Sequence, residues 1–285
     1  MSNFALEIKN LDTTFKDFSL KNMNIKLEKG CIMGLIGENG AGKTTLIKSI
    51  MNMYYTENGD IKVYGYDHVN DEVVVKNLIG YVAAEDYFVN NYTLKVMANN
   101  FSVLFDNWNW DLFNEYVEKW KLPLNKHFDT FSKGMKTKAM LVLALAHSPK
   151  ILLLDEPTAG LDPLVKVEIL ELLRDFVSDD ERAVLFSTHI TPDLDKTADY
   201  VTLISEGEVL ESDSMDSISD KYLLVSGNAS ELSLYSEILI GATEINGNIE
   251  ALIKRENSNN LKKEQFTLRQ PIIEELMIHL ITNSR

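Results

Sequence analysis

The stretch Gly37-Glu38-Asn39-Gly40-Ala41-Gly42-Lys43-Thr44 fits G-x-x-x-x-G-K-[ST] at every fixed position. An apolar run at 31–36 precedes it, and Leu46, Ile47, Ile50 and Met51 follow with helical spacing, so the motif stands where a strand turns into a helix. Glycines let the backbone curl until successive N–H groups and the helix N-terminus face an anion. Lys43 then reaches the β- and γ-phosphates of a nucleoside triphosphate, Thr44 is placed to hold magnesium, and Glu38, Asn39, Ala41 and Thr45 complete the cradle. A chance glycine-rich turn would read the same way, so the rest of the chain has to decide.

Residues 151–156 decide it. Ile151-Leu152-Leu153-Leu154 is a short apolar run suited to a buried strand, and it ends on Asp155 and Glu156. Open α/β sheets bind ligands at the carboxyl ends of their strands, so both acids are expected to face the phosphates. Asp155 would orient magnesium through water, and Glu156 would accept a proton from the attacking water or polarise it. An acidic pair that merely caps a sheet is common alone and improbable beside 37–44.

Other segments set the architecture. Residues 5–8 and 23–27 alternate apolar and polar as in an antiparallel β entry, Asn58-Gly59 reads as a turn into a strand at 61–64, and 79–82 supplies another strand. Between 91 and 148 the period becomes helical, with Trp110, Phe113, Val117 and Trp120 on one face. Apolar runs at 183–186 and 200–204 suit parallel strands, with a helix over 164–176. After residue 211 come a strand at 223–225, a helix-like 232–238, strands near 243–253, a polar break at 256–260 and a last apolar helix at 271–280. The expected organisation is an α/β P-loop ATPase over 1–211, with an antiparallel β layer and a helical subdomain inserted at about 86–148, followed by a small α+β appendage over 212–285.

Charge removes one class of partner. The 285 residues carry 28 Lys+Arg against 43 Asp+Glu, a net charge of −15, and hold no dense basic run, so nucleic acid is not expected. No apolar stretch approaches the about 20 residues a bilayer span needs, and 1–10 lacks the apolar core of a secretory signal, which points to the cytoplasm. Cys31, at the start of an apolar run, reads as a small buried side chain. His68, His127, His147 and His279 lack the spacing of a metal site.

Five further segments, in order, resemble the ATP-binding subunits of ABC transporters over about residues 4–211. Phe131-Ser132-Lys133-Gly134-Met135 is similar to the family signature, Ala159-Gly160-Leu161-Asp162 to its D-loop, and Ser187-Thr188-His189 to the switch histidine after the next strand. Phe15 falls where the family stacks an aromatic on adenine, with Phe18 as the competing position. Ile79-Gly80-Tyr81 introduces the Q-loop. The resemblance implies a Mg-dependent ATPase in which His189 contacts the γ-phosphate and couples it to Glu156 and Asp162. It also implies a dimer, because Ser132 and Gly134 open a helix that favours an anion yet cannot reach their own P-loop. Two copies of this chain are the default, with a different ATPase as the alternative.

The sequence also departs from the family. The Q-loop glutamine falls on Ala84, followed by Glu85 and Asp86, so either Glu85 substitutes at the metal or the loop only transmits motion. Lys133 and Met135 replace the usual glycine and glutamine of the signature. These departures and the appendage resemble a bacterial exporter branch that handles antimicrobial and amphipathic peptides. Such a cassette needs an integral membrane partner, holding it at the inner face of the cell membrane. Tyr87, Phe88, Tyr92, Phe101 and Phe105 are candidates for the docking surface, though aromatics in a helical subdomain mostly fill its own core. The competing class, a soluble ABC ATPase acting on ribosomes or nucleic acid, fits the acidity poorly, and the interval from Lys43 to Asp155 leaves no room for a long coiled coil.

Overall fold

Alternation and continuity of apolar residues sort the strands into two kinds. In the computed structural model, which describes residues 3–85, 91–261 and 265–285, the alternating segments become β1 (Phe4–Thr14) and β2 (Ser19–Glu28), an antiparallel pair. The apolar run before the glycine loop becomes β3 (Ile32–Ile36), buried at every residue, and α1 (Lys43–Ile50) follows the loop. Next come β4 (Asn58–Val63), β5 (Tyr66–Asp67), α2 (Glu72–Leu78) and β6 (Ile79–Val82). Asn58-Gly59 is not a turn before the strand but lies within it. The β1–β4 register jumps there, and Gly59 takes φ 90° where a Cβ would sit 2.4 Å from the Asn10 carbonyl oxygen.

The helical segment holds α3 (Leu94–Ser102), α4 (Trp110–Lys119) and α5 (Lys133–Leu145). Thr93, Asn109 and Ser132 cap them, each side-chain oxygen accepting a backbone N–H of the first turn. Leu94, Met97, Phe113, Val117, Phe128 and Val142 form a core of their own. Trp110 departs from the expected face. It is the first residue of α4 and is exposed, meeting Phe113 edge-on.

The chain then returns to the central sheet through β7 (Ile151–Asp155), α6 (Pro163–Val177), β8 (Ala183–Ser187), β9 (Tyr200–Ser205) and β10 (Glu208–Ser214). The order is β10-β9-β3-β8-β7-β6, parallel except for β10. Helices and the β1–β2–β4 layer cover the two faces, which is why β3, β7 and β8 are buried at every residue and apolar up to the Asp155 and Ser187 that end β7 and β8. Residue 211 therefore lies inside a strand of the ATPase sheet, which ends at Ser214.

The appendage continues with α7 (Met215–Lys221), β11 (Tyr222–Asn228), α8 (Ala229–Leu232), β12 (Ile240–Ile245), β13 (Asn248–Lys254), β14 (Thr267–Arg269) and α9 (Ile273–Ser284). Its antiparallel sheet runs β12-β13-β11-β14. Alternation along β11 and β13 divides its faces. Val225, Ala251 and Ile253 build a local core with Leu232 and Phe266, while Leu224 and Leu252 join Ile273, Leu276 and Ile281 in the same cluster as the ATPase helices. The polar break expected at 256–260 is a short 3-10 segment, Arg255–Asn260.

Candidate nucleotide site

The carboxyl ends of β3, β7 and β8 stand side by side, and each delivers one part of the site. After β3, Gly42 takes φ 114°, and a Cβ there would come 2.8 Å from the Phe18 ring, so the loop tolerates only glycine where it enters α1. No side chain caps α1 and no acid stands in its first turn, leaving its N–H groups aimed outward for an anion. Lys43 is buried, and its Nζ donates to the carbonyls of Gly37 at 2.9 Å and Glu38 at 3.1 Å. Burial pulls its pKa below the usual lysine range, while the charges of Glu156 and Asp155 act in the opposite sense.

Strands β7 and β8 supply the acids and their supports. Thr44 Oγ1 donates to Asp155 Oδ2 at 2.7 Å, and Ser187 Oγ donates to Asp155 Oδ1 at 2.6 Å. The same Ser187 oxygen accepts the Glu156 N–H at 2.9 Å. Glu156 takes the left-handed conformation, φ 50°, an uncommon backbone for a non-glycine residue. Its Oε2 accepts from His189 Nδ1 at 2.8 Å, and its Oε1 lies 4.0 Å from Lys43 Nζ. Thus the sequence-derived residues Lys43, Thr44, Asp155, Glu156 and His189 form one connected constellation. Ser187 had been assigned no role. It was findable only through strand register, since β7 and β8 pair Asp155 with Ser187.

An open cleft of about 600 Å³ spreads from these groups, lined by Asn39, Gly40, Gly42, Thr44, Thr45 and Glu156 together with Phe15, Phe18 and Tyr54. Phe15 meets Tyr54 edge-on at 4.9 Å between ring centroids, whereas Phe18 packs on Gly42 and Gly207. Both candidate aromatics therefore border the cleft, and Tyr54 was not foreseen because it follows the helix without any motif around it.

Other sequence-derived residues stand elsewhere. Ser132 Oγ caps α5 by accepting the Met135 N–H at 3.3 Å, and Gly134 lies against Val165 of α6. Asp162 Oδ1 caps α6, accepting from Leu164 and Val165, both at 3.1 Å. None of the three lines the phosphate cleft of its own chain. Glu85 does not either. It is exposed at the mouth of a second, apolar groove of about 270 Å³ bordered by Met51, Tyr81, Phe101, Phe105, Met140 and His147. Tyr92 lies outside that groove, and Tyr87, Phe88 and Asp86 lie outside the described residues.

Among the described residues no group of three His, Cys, Asp or Glu side chains has the arrangement to hold a metal ion by itself. His68, His147 and His279 are buried, and His147 stacks on Phe105 at 4.1 Å. Burial pushes the half-buried Cys31 thiol up to about 11, which keeps it protonated and unreactive.

These features define a P-loop ATP site of one particular architecture, and comparison with known proteins agrees. The family model described as ABC transporter matches residues 20–159. The ABC transporter ATP-binding protein NatA of Bacillus subtilis (strain 168) is 30% identical over 215 residues, covering 70% of this chain and 83% of its own. The bacitracin transport ATP-binding protein BcrA of Bacillus licheniformis is 29% identical over 205 residues, covering 71% and 67%. A solved structure of an ATP binding subunit of an ABC transporter superposes with a TM-score of 0.69 at 26% identity, over 75% of this chain and 91% of that one. The chain belongs to the ABC transporter ATP-binding proteins.

Proposed function

We propose that this chain is the ATP-hydrolysing subunit of an exporter for peptide or antimicrobial cargo, closing with a second ATPase subunit to drive a separate integral membrane subunit. The observation that carries the reading is the chain of contacts Lys43–Glu156–His189 beside Thr44–Asp155–Ser187. It joins a phosphate-binding ammonium to a carboxylate held ready for proton transfer.

Each residue then has a defined task. Lys43 exchanges its two carbonyl partners for phosphate oxygens and adds a point charge beside the γ-phosphate. Glu156 orients the attacking water and accepts its proton. His189 fixes one carboxylate oxygen of Glu156, leaving the other to face the water. The Thr44 hydroxyl and the Asp155 carboxylate offer two hard oxygens 2.7 Å apart, a donor set that suits magnesium, which takes few protein ligands and keeps water and phosphate for the rest. When bound, that ion would neutralise charge on the phosphates. Ser187 keeps Asp155 and Glu156 in register.

The partners follow from what one chain leaves unfinished. Ser132 and Gly134 lie away from their own cleft, which supports their covering ATP held by a second subunit, a second copy of this chain by default. The apolar groove beside Phe101 and Phe105 supports docking of a membrane subunit's cytoplasmic segment, and with it a peripheral position at the inner face of the membrane. Peptide cargo is favoured by the relative whose printed name is bacitracin transport.

The test is turnover and solution mass of wild type and Glu156→Gln with ATP and magnesium. Glu156→Gln is expected to bind ATP, to lose about 10²- to 10⁴-fold in kcat, and to shift to dimer mass on adding ATP. Normal hydrolysis by this variant would remove Glu156 from the base role. A wild type that never binds ATP would remove the whole reading.

A further inference from the structure

The helix α9 of the appendage lies next to two segments that adjoin the nucleotide site. It packs on the 3-10 turn Thr191–Asp193, which begins two residues after His189. Its apolar side, Ile273, Leu276 and Ile281, is fixed in the core shared with the ATPase helices. The helix therefore points its C-terminal end from a rigid base, and Arg285 follows it. Arg285 Nη2 pairs with Glu38 Oε2 at 2.5 Å, which links the appendage to the P-loop itself.

The charge of Glu38 is the reason this pair matters. The Glu38 carbonyl accepts from Lys43 Nζ at 3.1 Å, so Glu38 is part of the loop that surrounds the phosphate-binding ammonium. Its carboxylate belongs to the same loop residue and is partly exposed, at the outer side of the phosphate cradle. A triphosphate entering the loop meets this negative charge as repulsion. A guanidinium on the carboxylate cancels most of it at the lip of the cleft.

We propose that Arg285 is a positioning residue for nucleotide binding, acting through Glu38: it neutralises the P-loop carboxylate and thereby raises the affinity of the site for ATP, making that affinity responsive to the appendage. The inference rests on the reading of 37–44 as a triphosphate cradle. As an exposed ion pair the contact adds little to folding, so its effect belongs to binding and not to stability.

The experiment is a double-mutant cycle on the full chain, with ATP dissociation constants measured calorimetrically in the absence of magnesium so that no turnover intervenes. Arg285→Ala is expected to weaken ATP binding by about three- to ten-fold at low salt, with the loss shrinking as salt rises and the thermal midpoint unchanged. Arg285→Lys keeps the charge and should recover most of the affinity. In a Glu38→Gln background, whatever its own affinity, the further change Arg285→Ala should have no effect. An Arg285→Ala loss of equal size in both backgrounds would overturn the proposal, as would wild-type affinity for Arg285→Ala. Absence of ATP binding by wild type would sink the underlying site reading and the proposal with it, whereas failure of the cycle alone leaves wild-type binding intact.

Discussion

Both carboxylate oxygens of Asp155 accept a hydroxyl, one from Thr44 and one from Ser187, and Ser187 also takes the N–H of Glu156. One buried oxygen thus aligns two acids of different purpose. Ser187→Ala should leave the fully buried Asp155 with one partner fewer and the Glu156 N–H with none, at a cost of about 1–3 kcal/mol in stability. Because Glu156 is held in a left-handed conformation partly by that bond, kcat should fall about ten-fold while the KM for ATP changes little, as steady-state kinetics would read directly. A loss confined to stability would make Ser187 a packing residue only. Positions 37–44, 155 and 156 could be read from motif spacing and the apolar strand before the acids, whereas His189 was reached only through the family resemblance. The task of Ser187 was not legible, since it depends on the register between two strands and not on its neighbours in the chain.

At the scale of elements, a second buried network ties α6 to the loop after β8. Thr158 Oγ1 donates to Asp193 Oδ2 at 2.8 Å, and Lys166 Nζ lies 3.0 Å from Asp193 Oδ1. Thr158 and Asp193 are almost wholly buried, so the segment leading to Asp162 and the turn following His189 are tied together by a bond shielded from water. Thr158→Val keeps shape and removes the hydroxyl. It should lower kcat several-fold with ATP affinity retained, because His189 would no longer be held in step with the start of α6. Asp193→Ala, which leaves Lys166 without its buried partner, should in addition destabilise the fold by up to about 3–5 kcal/mol. Chemical denaturation separates the two variants, and a Thr158→Val protein with unchanged kcat would reduce the network to a structural role. The helix over 164–176 was legible from its apolar period, while the caps that start α5 and α6, Ser132 and Asp162, had been read only as signature and D-loop residues. Asn58-Gly59 misled because the glycine serves a bulge against β1, a demand made by a strand far away in sequence.

Across the whole molecule, residue 211 falls within β10, and no polar linker marks where the appendage starts. The appendage has a local core around Val225, Ala251 and Ile253, and it also lends Leu224, Leu252, Leu276 and Ile281 to the same cluster as α5 and α6. On the opposite flank the groove between the central sheet and the helical subdomain keeps an apolar lining, with Phe101 and Phe105 stacked at 6.4 Å and Phe105 against His147. No described helix is long and apolar enough to cross a membrane. On the function proposed above, a membrane subunit would dock on this groove. Phe105 is half-buried there and does not line the phosphate cleft, which allows the two functions to be separated. Phe105→Ser should therefore leave basal ATPase activity within about two-fold of wild type, yet abolish any rise in turnover on adding the membrane subunit in detergent. Val103→Ser, at a residue 84% exposed and outside the groove, is the matched control and should keep the stimulation. If both variants are stimulated alike, the groove is not where the membrane subunit docks. If Phe105→Ser instead loses basal turnover, the ring supports the catalytic core through His147, whose Nε2 donates to the Ile79 carbonyl at the start of β6.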